Sequence, residues 1–168
     1  MIYIIAPHCD DEIIGTYSVV SRFPCTIVFV QEDEERLVRA EKLKEFNKDI
    51  EITTFREKFE WINFHSDIVF APDPNYEMHP LHRKIGNLIL NKFFDGYNVY
   101  FYTTNMNTPY TRLLHPVERQ EKKEMLDKIY PDQSDLWKYE WKYFMYEGIV
   151  KYTSNLYHEL KGALKCQD

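Results

Sequence analysis

Apolar positions along this chain follow two rhythms. Short unbroken runs, IYIIA at 2–6, TIVFV at 26–30, DIVFA at 67–71 and NVYFY at 98–102, are too short for helices and rich in β-branched and aromatic residues. Such runs predict strands buried on both faces. A less apolar segment, 50–55, predicts a further short strand. Between them the apolar positions recur every three or four residues, the spacing of one helix face. This predicts helices over 11–21 (Ile13, Ile14, Tyr17 and Val20 inward), 32–47 (Leu37, Leu43 and Phe46 inward) and 81–94 (Ile85, Leu88 and Leu90 inward). From Pro116 onward the pattern is helical, with a break at Pro131. Strands alternating with helices predict an α/β fold: a Rossmann-like three-layer sandwich with a mainly parallel sheet and a helical C-terminus, in one domain over 1–168.

Chemistry enters where the first strand stops. Pro7 is followed by His8, Cys9, Asp10, Asp11 and Glu12. Ligands in open α/β sheets bind outside the carboxyl ends of the strands, which is where this turn must lie. His8 and Asp11, three apart across a turn, can converge on one metal ion. Asp10 can then stand beside the metal-bound water as a general base. Glu12 can orient a ligand, and Cys9 should face away and pack. The plainer alternative is that Asp10, Asp11 and Glu12 cap and charge a helix start.

A second cluster, His79-Pro80-Leu81-His82, follows a proline-rich loop and opens a helix, with Pro80 suited to its first turn. One of the two histidines can complete a His/Asp/His triad with His8 and Asp11, and the other is left to polarise a substrate. Taken alone, both could be ordinary loop histidines.

Composition narrows the setting. A net charge of −6 disfavours a sequence-independent grip on nucleic acid. Cys9, Cys25 and Cys166 are odd in number and irregularly spaced, so no disulfide framework is expected and a cytoplasmic location is the natural reading. The start of the chain reads as a strand and not a signal peptide, and no apolar stretch is long enough for a membrane span. No glycine-rich phosphate loop is present.

The residues at 7–15, Pro-His-Cys-Asp-Asp-Glu-Ile-Ile-Gly, resemble the opening signature P-H-x-D-D-E-x-x-G of the LmbE-like or PIG-L zinc-dependent N-deacetylases at every specified position. His79-Pro80-Leu81-His82 is similar to their H-P-D-H motif, with Leu81 in place of the aspartate. Weaker echoes lie at 36–41 and 121–133. The resemblance implies a Rossmann-like fold and one zinc ion held by His8, Asp11 and His82. Asp10 would be the general base, and His79 would polarise the carbonyl or protonate the departing amine. Arg39 and Tyr76 would contact the substrate, an N-acylated amino sugar of the N-acetylglucosamine type or a glycoconjugate. The chain is short for such a family, so its pocket is reduced or completed by oligomerisation.

Two further readings stay open: a zinc hydrolase of another acyl or modified-nucleoside bond, and a silent metal-containing binding subunit. Asp10 and His79 weigh against the second, because a binding module needs no base beside its metal. His/Asp ligation also suits iron(II), manganese or cobalt. Last, Trp137, Tyr139, Trp141, Tyr143, Phe144 and Tyr146 crowd one segment. As a single helix it would be aromatic on two faces, one for the core and one for a homo-oligomer contact or for stacking on a sugar ring or base.

Overall fold

The computed structural model describes residues 1–63, 66–92, 98–105 and 108–152. Five parallel strands, β1 (Ile2–Ala6), β2 (Cys25–Phe29), β3 (Ile50–Thr54), β4 (Ile68–Pro72) and β5 (Val99–Thr103), form most of one sheet. Two antiparallel strands, β6 (Thr111–Leu113) and β7 (Tyr146–Lys151), complete it in the order β3-β2-β1-β4-β5-β7-β6. The chain runs outward from β1 through β2 to β3, then returns to the other side of β1 with β4. The switch point therefore lies between β1 and β4, the place where such sheets bind ligands.

Alternation along the central strands explains the three layers. Ile4 and Ala6 face one core with Ile27 and Phe29; Tyr3 and Ile5 face another with Val28, Val69 and Ala71. Both faces are dry, so the strands read as continuous apolar runs. The first core is covered by α1 (Asp11–Val20), α5 (Pro116–Ile129) and α6 (Ser134–Tyr139). The second is covered by α4 (Pro80–Lys92), whose buried residues are His82, Ile85, Gly86 and Ile89. A Cβ on Gly86 would lie 2.3 Å from the Pro72 carbonyl oxygen, so this glycine lets α4 press against the end of β4.

Several expectations change. The helix foreseen over 32–47 is a shorter α2 (Glu34–Ala40) followed by a 3-10 turn (Glu41–Glu45), and Phe46 is exposed. In α4, Ile89 points inward where Leu88 was expected to; Leu88 is exposed. The end foreseen for that helix, at 93–94, lies outside the described residues, as does Cys166. The break at Pro131 is present, as a 3-10 turn (Pro131–Gln133). A four-residue helix, α3 (Phe55–Lys58), follows β3 directly.

The aromatic segment is not one helix. It ends α6, turns at Glu140 (φ −119°, ψ 72°), makes one short turn as α7 (Lys142–Met145), and is extended from Tyr146 as β7. The expected pair of aromatic helix faces therefore does not form. Trp137 is buried, whereas Tyr139 and Trp141 are exposed.

Candidate metal centre

Both sequence clusters arrive at the switch point. β1 delivers His8 through Asp11, and the first turn of α4 delivers His82, with His79 just before it. The His8 Nδ1 and His82 Nε2 atoms are 2.9 Å apart, and each is 3.2 Å from Asp11 Oδ2. Three donors at about 2.1 Å from one tetrahedral ion would be separated by about 3.4 Å, so the triangle has nearly the size that an ion requires. The His79 ring stands edge-on to His8 at 4.7 Å between centroids and 5.1 Å from His82. His8, His79 and His82 each offer a ligand atom within 4.8 Å of the others, a group that could hold a metal ion.

The supporting shell is more specific than the sequence suggested. His82 Nδ1 meets Glu77 Oε2 at 3.1 Å, which turns Nε2 toward His8 and Asp11. Glu77 is buried and also accepts the Thr104 N–H and, at 3.0 Å, the Thr104 hydroxyl. This carboxylate–histidine arrangement is how proteins fix the tautomer of a ligating histidine. Sequence reading missed Glu77; its only signal was an acid five residues before His82 in the proline-rich loop. Asp73 braces the same loop, accepting the N–H groups of Asn75 and Tyr76 and the Tyr110 hydroxyl at 2.6 Å.

The three successive acids do different things: Asp11 and Glu12 lie in the first turn of α1, as the plainer alternative has it, but no side chain caps the helix. Asp11 Oδ2 turns back to accept the His8 N–H at 2.7 Å. Glu12 turns back to accept the Asp10 N–H at 2.9 Å and takes the Tyr130 hydroxyl at 2.7 Å. Glu12 therefore holds the backbone of Asp10, and not a metal ligand as expected. Asp10 stands at the N-cap position, yet its side chain caps no N–H. Its backbone is at φ 133°, ψ −28° and it is the one positive-φ non-glycine among the described residues. A β-carbon there costs about 1–3 kcal/mol, and such strain concentrates at functional sites.

Electrostatics separate the groups further. Burial, then the charges of Asp11 and Glu12, push the Asp10 carboxyl well above the usual carboxylate range. Burial would raise Asp11 too, but hydrogen bonds with His8 and His82 outweigh it and hold Asp11 at about 2. Burial pushes Glu12 up to about 7 despite its hydrogen bonds. Burial alone would lower His82, but the carboxylates of Asp11 and Glu77 raise it to about 10. Three adjacent carboxyl groups are thus held in three different states.

The other predicted residues lie as follows. Cys9 is buried and lines a cavity of about 420 Å³ with Gln31, Glu32, Asp33 and Arg36, beside the turn. Arg39 pairs with Glu35 and Asp132, and the arginine on the cavity wall is Arg36. Tyr76 packs edge-on against Tyr110 at 5.7 Å, and its backbone is tied to Asp73 and Asn105.

Compared with protein-family models, with curated proteins and with solved structures, the chain matches none.

Proposed function

We propose that this protein is a metal-dependent amidohydrolase that removes an N-acyl group, acetyl first among them, from an amino sugar of the N-acetylglucosamine type or a related amine. One observation carries the reading. A strained, buried carboxylate, Asp10, stands next to a triangle of His8 Nδ1, His82 Nε2 and Asp11 Oδ2 that has the dimensions of a metal site. We assign His8, Asp11 and His82 as ligands and zinc as the metal. The nitrogen and oxygen donors suit it, and the resemblance at 7–15 and 79–82 points the same way. When bound, zinc supplies a Lewis acid for the acyl oxygen and lowers the pKa of its water from 15.7 to about 7.

The chain's own residues then do the following. Asp10 takes the proton of the attacking water as the new carbon–oxygen bond forms. His79, at the exposed edge of the cluster, has its Nδ1 facing the Leu81 N–H at 3.2 Å. Its Nε2 is therefore the atom left to donate to the developing oxyanion. The carbon–nitrogen bond breaks as the nitrogen receives a proton from Asp10 or His79, giving a carboxylate and a free amine. Leu81 in place of the family's aspartate leaves that backbone N–H as the group that orients His79.

The test is metal content of protein purified without added metal, read with acetate release from N-acetylglucosamine derivatives. About one zinc per chain with acetate release is expected. Asp10→Asn should keep the zinc and lose about 10²–10⁴-fold in turnover, and His82→Ala should lose the zinc. Full activity in Asp10→Asn, or no metal bound after reconstitution, would overturn the proposal.

A further inference from the structure

A second concave site lies away from the histidines, on the segment whose helix is broken. Its volume is about 320 Å³, and it is lined by Lys123, Asp127, Ser134, Trp137, Lys138, Trp141 and Phe144. Trp137 forms its floor: the ring is buried, and its indole N–H is committed to Asp127 Oδ1 at 2.7 Å. Trp141 forms a wall with 54% of its surface open. The turn at Glu140 is what sets Trp137 and Trp141 on two sides of one hollow instead of along one helix face.

We propose that this hollow is a binding subsite for a pyranose ring of a glycan. Its volume suits one hexose, and the exposed Trp141 ring suits the apolar C–H face of a sugar. The rim places polar groups beside the hydroxyls: the Ser134 hydroxyl, the Lys138 ammonium over the Tyr139 ring, and the Lys123–Asp127 ion pair, whose carboxylate also holds the Trp137 N–H. The same composition argues against a protein partner. Interface cores are depleted in lysine, aspartate and serine, and four of the seven lining residues are of these types. The choice of an N-acetylated sugar as probe rests on the deacylase reading, but the site itself does not. Phe144 and Tyr143 pack against the core that also contains Cys9 and Ile13, so α7 joins the hollow to the helix that follows the Asp10 turn.

The experiment is ¹H–¹⁵N NMR of the three tryptophan indoles during titration with N,N′-diacetylchitobiose. The Trp141 signal should move saturably while that of Trp61, outside the hollow, stays. Phe144→Ala should weaken the apparent affinity about tenfold, and Tyr139→Ala, exposed but outside the lining, should not change it. No movement of Trp141 at millimolar disaccharide would overturn the proposal. So would an equal response to adenosine, which would make the hollow a platform for bases. A Trp141 signal that shifts on simple dilution of the protein would overturn it too, by making the face a contact between copies. Acetate released into the same samples reports the deacylase reading separately. Binding without acetate would leave this subsite standing, and acetate without a Trp141 response would remove it alone.

Discussion

At the middle of α1, Lys122 and Glu147 are both sealed from water, and every one of their charged atoms has a partner. Lys122 Nζ donates to the Ile14 carbonyl at 2.6 Å and the Tyr146 carbonyl at 2.8 Å. Glu147 accepts the Ser18 N–H and the Arg112 guanidinium, both at 2.8 Å. The helix departs from helical geometry at Thr16 (φ −135°, ψ 31°), and Ile14 C=O and Ser18 N–H, which an uninterrupted helix would join, each take a side-chain partner. Next to it, a Cβ on Gly15 would sit 2.2 Å from the Tyr102 ring. The break thus lies where Tyr102 comes close, and the buried ions fill the gap in the ladder.

The turn after β1 buries charge differently. Asp10 is 7% exposed, and its carboxylate caps no N–H. His8 Nδ1 and His82 Nε2 face one another at 2.9 Å, where one ring can donate to the other or both can face a shared cation. A buried polar group that is fully partnered rigidifies a fold. The same chain therefore uses buried ions once for architecture and once, in our reading, for chemistry.

Removing one member of each set should separate the two. Lys122→Met leaves the Ile14 and Tyr146 carbonyls without their donor, and each buried polar group left unpartnered costs about 1–3 kcal/mol. Chemical denaturation should show that loss, while zinc per folded chain stays at the wild-type level. The pH dependence has a definite sign. Burial, the largest influence, lowers the Lys122 pKa from 10.5 to about 7. Between those values the unfolded chain holds a proton that the folded one does not. Stability from this group therefore rises with pH above 7, by at most about 1.4 kcal/mol per unit, and falls again as pH drops toward 7. The wild-type advantage over Lys122→Met should widen from pH 7 to pH 10; an advantage that narrows would mean the buried lysine stays charged.

Glu77→Gln tests the other set more gently. The amide can still meet Thr104 and His82, so the fold should hold, but it no longer stabilises His82 as a donor. Loss of such a carboxylate weakens metal binding about 10–100-fold. Competition with a chelator should read that loss directly, and an unchanged affinity would make Glu77 a purely structural member of the loop.

Much of this was legible in the sequence, and the part that was not has a physical pattern. β1, β2, β4 and β5 announced themselves because parallel strands covered on both faces must be apolar throughout, whereas β3, at the sheet edge, showed only as a less apolar segment. β6 and β7 did not: TRL is short and exposed at its end, and YEGIVK follows an aromatic stretch of helical character. Their pairing with β5 and with each other is decided by long-range contacts that no local pattern encodes. The centre divides the same way. His8, Asp10, Asp11, His79 and His82 were visible as two tight clusters. Glu77 reaching Thr104, and Tyr130 reaching Glu12 across the chain, were not. Glu140, which splits the aromatic segment, carries no glycine or proline to mark the turn.

The smallest expected effect is the most diagnostic of the comparison. The φ 133°, ψ −28° of Asp10 is the mirror image of an ordinary bridge conformation, which glycine adopts without a β-carbon clash. Asp10→Gly should relieve about 1–3 kcal/mol of strain, offset by about 0.5–1 kcal/mol of added chain entropy in the unfolded state. A net gain of about 1 kcal/mol would raise Tm by about 2–4 °C in a chain of this size. The same variant should have no base and lose turnover as Asp10→Asn does. If Asp10→Gly instead melts at a lower temperature, Asp10 holds the turn together. It would then belong with Lys122 and Glu147 as architecture, and the contrast between the two buried charge sets would collapse.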